Sequence, residues 1–176
     1  MKYKYEKAIT ILNESGDRYA DVHVYYSKNM PVSNLQISLY DTNGILIEKV
    51  KSSEINDYSA SGENMFTDSR IKHYEPIQKN YPYTVVCSYN LSTNEFFNIN
   101  DWHPYNGSRC SINESIFTIS TNNPDSFKYK MLNSSLKPII TEDRGRSTYL
   151  WKISNLKAYK PESYSSPMVT LTEVHI

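Results

Sequence analysis

The chain has 176 residues, with 19 lysines and arginines balanced against 19 aspartates and glutamates. A chain of this length makes one domain of ordinary size, 1–176, and buries roughly 70% of the surface its unfolded form exposes, so the core needs no metal or disulfide. Balanced charge, with basic residues scattered apart from Lys2, Lys4 and Lys7, gives no net field to recruit nucleic acid or an anionic membrane.

Hydrophobic periodicity is two almost from the start. Ile9 and Ile11 alternate in the first segment, and Asn13-Glu-Ser-Gly16 reads as the turn that follows. Ala20, Val22, Val24 and Tyr26 form the next alternating run, then Leu35, Ile37 and Leu39. Asp41-Thr-Asn-Gly44 separates residues 35–40 from 45–50, and its Asn-Gly can supply two positive-φ residues for a tight hairpin. Residues 52–81 read as a long polar excursion. Val85, Cys87 and Tyr89 resume the alternation, and residues 93–108 form a second loop that carries Phe96, Phe97, Trp102, His103 and Tyr105. Its aromatic content predicts that it folds back and packs. Further strands are marked by Ile112 and Ile116, by Phe127, Tyr129 and Met131, and by Tyr149, Trp151 and Ile153. Residues 160–176, punctuated by Pro161 and Pro167, read as a domain edge leading toward a linker. Short β-branched and aromatic strands without long helical patterns predict an all-β antiparallel sandwich or barrel.

Sixteen tyrosines against five glycines is an unusual balance. Tyrosine buries a large ring and keeps a hydroxyl for water, so it either replaces Phe on strand surfaces or lines a binding face. No apolar run approaches the roughly 18 residues of a membrane helix, so membrane insertion is not expected. The start, Met1-Lys-Tyr-Lys-Tyr5, has no apolar signal core and taken literally reads as cytoplasmic.

No residue set for catalysis stands out. Asp41-Thr-Asn-Gly44 opens like a calcium loop, but the later oxygen ligands and the closing Glu are missing, which leaves a hairpin turn. His23, His73, His103 and His175 have no second His at helical spacing, so no metal or cofactor is expected. Cys87 and Cys110 are a candidate disulfide that would close a loop of about 24 residues and contribute about 3 kcal/mol; two separate buried thiols are the alternative. A Cys–His nucleophile would need one of these thiols beside His103, and a strand offers Cys87 no helix terminus to lower its pKa. Asp68, Arg70 and Lys72 could line a small polar pocket or be ordinary solvated charges. Trp102, His103 and Tyr105 are the candidate ligand or interface surface, a stacking platform for a sugar ring, with packing of the loop as the competing use.

Several stretches in order resemble a known family. They are Tyr5-Glu-Lys-Ala-Ile-Thr-Ile-Leu-Asn-Glu-Ser-Gly16, Leu39-Tyr-Asp-Thr-Asn-Gly-Ile-Leu-Ile-Glu48, Ser53-Glu-Ile-Asn-Asp-Tyr-Ser-Ala60 with Phe66-Thr-Asp-Ser-Arg70, and Tyr149-Leu-Trp-Lys-Ile-Ser-Asn-Leu-Lys-Ala-Tyr-Lys-Pro-Glu162. Together they are similar to the amino-terminal β-sandwich domain of unknown function that precedes a transglutaminase-like domain in exported proteins of Gram-negative bacteria. The resemblance implies an immunoglobulin-like two-sheet sandwich and an extracytoplasmic location (periplasmic, cell-surface or secreted), with the signal peptide absent from this sequence. It also implies a downstream transglutaminase-like partner domain with a papain-like Cys-His-Asp site. No catalytic residue of that site maps onto this chain, and the chain is therefore expected not to be an enzyme. The expected role is a non-catalytic accessory module that supports the neighbouring domain or presents substrate to it. The alternative is a glycan- or peptide-binding module.

Overall fold

The alternation read from the sequence becomes antiparallel strands almost throughout. The protein, seen in a computed structural model, is described over residues 2–60, 68–78, 80–93, 101–105, 107–126, 128–159 and 173–175. These residues group into two compact units, Met1–Phe97 and Asn98–Ile176.

The first unit contains β1 (Lys2–Ile11), β2 (Val22–Tyr26), β3 (Val32–Tyr40), β4 (Leu46–Lys49), β5 (Asn56–Ser59), β6 (Arg70–Tyr74) and β7 (Tyr83–Ser92). They form a four-stranded sheet in the order β1-β7-β3-β4 and a three-stranded sheet in the order β2-β6-β5. Register explains which residues go inside. Ile11 faces Tyr83, Leu39 faces Val85 and Ile37 faces Cys87, so one face of the larger sheet is a continuous apolar surface. Val22, Val24 and Tyr74 present the matching face of the smaller sheet, and the two faces share one core. This is the sandwich-like all-β arrangement expected from the sequence.

Three local expectations need correction. Residues 14–19 form a 3-10 turn rather than a simple link. Its preceding Asn13 accepts hydrogen bonds from the Ser15 backbone N–H (3.1 Å) and hydroxyl (2.6 Å). The β3–β4 connection is not a two-residue turn with two positive-φ positions, because only Gly44 takes positive φ, at 77°. The Asp41 carboxylate instead accepts from the N–H groups of Asn43 and Ile45, both at 2.8 Å, and closes a longer loop. The two consecutive positive-φ residues fall at Arg144 (48°) and Gly145 (76°), between strands paired at Asp143 and Arg146. The long polar excursion, finally, contains β5 and β6. Their alternation is hidden because the inward positions near one end are Asp57, Lys72 and Arg70 rather than apolar residues.

The second unit contains β8 (Ile112–Thr121), β9 (Lys130–Leu132), β10 (Ile139–Asp143), β11 (Arg146–Leu156) and β12 (Glu173–His175). The order β10-β11-β8 makes one sheet, and β12 pairs with β9. Trp102 joins β12 through a bridge to Val174, with N–H···O distances of 2.9 and 3.1 Å. The core is centred on Trp151, Val174 and Trp102, with Phe117, Ile119, Met131 and Leu136 around them. Among the described residues no helix is long and apolar enough to cross a membrane.

Candidate functional site

The aromatic loop was the leading site candidate, and its tryptophan is inside. Trp102 is 8% exposed, and its indole N–H donates to the Ser115 hydroxyl at 3.0 Å. Its ring lies parallel to Phe117, with centroids 6.1 Å apart, and Phe117 in turn contacts Trp151 at 5.7 Å. Tyr149 and Tyr129 complete the cluster around Trp151 at 6.3 and 5.1 Å. A sugar platform needs an open ring face, and Trp102 has none to offer. Tyr105 is half-buried against the edge of Tyr159, centroids 5.4 Å apart, while His103 is exposed. Phe96 and Phe97 lie outside the described residues, as does the tail over 160–172. Packing of the loop, the competing use, accounts for Trp102.

The structure records no disulfide at Cys87, and the two cysteines of the candidate bridge belong to different units. Cys87 is an inward residue of β7 in the core of the first unit, and Cys110 is half-buried in the second. Burial pushes the Cys87 thiol up to about 11, and nearby Lys7 offsets this only in part. A nucleophilic thiol needs the opposite shift.

The charged cluster that the sequence suggested around Asp68, Arg70 and Lys72 exists with a different acid at its centre. Asp57 on β5 lies opposite Lys72 on β6. The Lys72 ammonium donates to its Oδ2 at 2.7 Å, the Tyr26 hydroxyl to Oδ2 at 2.6 Å, and the Arg70 Nε to Oδ1 at 2.9 Å. These donors, Lys72 first, hold the Asp57 carboxyl down at about 2. Asp68 is exposed and takes no part in those bonds. Asp57 went unseen because a short Asn-Asp-Tyr-Ser strand carries no apolar alternation.

Three further groupings lie in the first unit. Asp17, on the 3-10 turn after β1, accepts from the Tyr81 hydroxyl at 2.6 Å and the Tyr83 hydroxyl at 3.2 Å. The hydrogen bond to Asp17, with burial and the carboxylate's charge behind it, pushes Tyr81 up to about 12, and burial raises Tyr83 above its ordinary value. The Tyr74 hydroxyl donates to Glu48 at 3.0 Å. Beside it opens a cavity of about 570 Å³ whose lining includes Glu48, Glu54, Asn56, His73 and Glu75. On the outward face of the smaller sheet His23 and His73 stand directly opposite each other, with ring centroids 4.4 Å apart and planes 24° from parallel. Tyr58 meets His73 edge-on at 6.3 Å. Among the described residues no group of three or more His, Cys, Asp or Glu side chains converges.

The arrangement thus defines a class: an all-β, sandwich-like protein whose thiol on β7 and whose loop tryptophan serve as core. Residues 1–160 match the family described as DUF3857, a domain of unknown function with a solved structure, and the chain belongs to that family. No curated protein matches the chain in sequence. A crystal structure from Parabacteroides distasonis, described as that of a "putative protease", is similar in fold with a TM-score of 0.79 at 12% identity. The likeness covers 98% of this chain and 36% of that one, so this chain spans about a third of that protein's length.

Proposed function

We propose that this chain is a non-catalytic accessory module of an exported bacterial protein, acting beside a transglutaminase-like catalytic domain of the same polypeptide. It would support that domain or present substrate to it. The observation that carries the reading is the extent of the structural likeness: nearly all of this chain corresponds to about a third of a protein described as a "putative protease". The chemistry agrees, because Cys87 is packed in the core and held protonated, while Cys110 lies in the other unit. A glycan- or peptide-binding role is the second reading, and burial of Trp102 removes the ring it relied on most.

The test is to produce the protein encoded by the complete reading frame with and without this segment. The melting temperature of the remaining part and its hydrolysis of peptide and amide substrates are then compared. The accessory reading predicts a lower melting temperature, a raised KM, or both, when the segment is removed. Identical melting and kinetics would overturn it. A glycan array probed with the isolated chain and with Tyr105→Ala decides the second reading; no binding anywhere on the array dismisses it.

A further inference from the structure

We propose that His23 and His73 form a two-imidazole site for a late first-row divalent cation on the outward face of the β2-β6-β5 sheet. The inference is independent of the accessory role, since it needs only this sheet.

The pair is built by the backbone. His23 on β2 and His73 on β6 are register partners, so the sheet holds their Cα atoms opposite each other without any loop to order. Two nitrogens bound to one ion at roughly 2.0–2.1 Å each lie about 3 Å apart. The rings stack with centroids 4.4 Å apart and planes 24° from parallel, so binding one ion requires both to swing out of the stack about their side-chain torsions until their in-plane lone pairs meet. His23 is exposed and His73 half-buried, which leaves the pair accessible to an ion from solvent.

The surroundings favour a cation. Strand alternation sends Lys72 and Arg70 to the other face of β6, where both are engaged with Asp57. No basic side chain stands at the outward register positions beside the pair; these carry Tyr25, Asn56, Tyr58 and Ile71. Asn56 is the partner of His73 on β5, so His23, His73 and Asn56 form one row across three strands. Its side-chain carbonyl offers an oxygen as the third donor of the same row. Glu75, two residues beyond His73, borders the same cavity and adds negative charge. Two imidazoles with oxygen donors suit Cu²⁺, Ni²⁺ and Zn²⁺ rather than Mg²⁺ or Ca²⁺, with Cu²⁺ bound most tightly. Water fills the remaining positions.

The test uses the full chain without a polyhistidine tag. Substoichiometric Ni²⁺ should broaden the NMR imidazole signals of His23 and His73 before those of His103 and His175. Calorimetric titration with Zn²⁺ should show one site per chain, weakened at least tenfold in His23→Asn and in His73→Asn and unchanged in His103→Asn. Mg²⁺ should produce neither effect. The proposal is overturned if His103 or His175 broadens first, if no signal responds, or if both pair variants keep the wild-type Zn²⁺ affinity. The NMR arm needs no variant, so a misfolded variant cannot leave the question open.

Discussion

The two units bury aromatic residues in different ways. In the first, the tyrosines at the edge of the core keep their hydroxyls tied to carboxylates: Tyr74 to Glu48, and Tyr81 and Tyr83 to Asp17. In the second, the core is gathered around Trp151, which is fully buried and whose indole N–H has no hydrogen-bond partner. Among its described residues the first solution leaves no buried side-chain polar atom without a partner. The second accepts one unpaired donor in return for a large packed aromatic surface, a cost of about 1–3 kcal/mol set against a larger gain from burial. Tyrosine-rich composition therefore reports how strand faces are finished and need not mark a ligand surface.

That contrast can be pressed by substitution. Trp151→Ala should cost about 3–5 kcal/mol, because the surrounding Phe117, Tyr129 and Tyr149 cannot collapse into the space, and denaturant unfolding measures it directly. Trp151→Phe should cost clearly less than its lost area suggests, since it also removes the unpaired N–H. Equal losses in the two variants would refute the claim about that donor. In the first unit Leu39→Ala should cost about 2–5 kcal/mol. Tyr83→Phe should cost only about 1 kcal/mol, because it leaves the ring in place and Asp17 keeps Tyr81 as a donor.

The smallest expected effect concerns Asp57 and depends on pH. Its folded carboxyl sits at about 2, below the ordinary 3.8, so the folded state releases the proton more readily than the unfolded chain. The resulting stability is present above pH about 4 and fades as pH falls through about 2. The cluster is partly exposed and screened, so Asp57→Asn should cost no more than about 1 kcal/mol at neutral pH. The variant should also flatten the acid limb of the stability curve between pH 4 and 2. Stability profiles of the two proteins that run parallel down to pH 2 would show that the cluster contributes nothing.

Legibility in the sequence followed the same division. Period-two patterning located β1, β3, β7 and β11 because their inward positions are apolar and local in sequence; β8 was found from Ile112 and Ile116, yet Ile116 is exposed and it is Phe117 and Ile119, on the alternate face, that pack against the Trp151 cluster. The patterning missed β5 and β6, where a polar cluster occupies the inward positions, and of the run Phe127, Tyr129 and Met131 it is Met131 that falls in β9 (Lys130–Leu132), Phe127 lying outside the described residues. Trp102 was read as a candidate surface because its burial depends on Val174, 72 positions away, a pairing that no local pattern encodes. The Asp57 cluster was half legible: Arg70 and Lys72 were singled out, but their acid was sought at Asp68, nearby in sequence, rather than across the strand pair. His23 and His73 have no helical spacing to relate them, and 50 positions separate them in the chain. Across strands they are neighbours.

The account as a whole requires that this chain uses its thiols and aromatic rings for structure and not for reaction. The rate at which iodoacetamide modifies Cys87 in the native chain at neutral pH, read by mass spectrometry against the urea-unfolded chain, tests that most directly. A thiol raised from 9.0 to about 11 carries about a hundredfold less thiolate than an ordinary one, and burial slows attack further. Native Cys87 should therefore react at least a hundredfold more slowly than in the unfolded chain. Native labelling as fast as in urea, or faster, would contradict it.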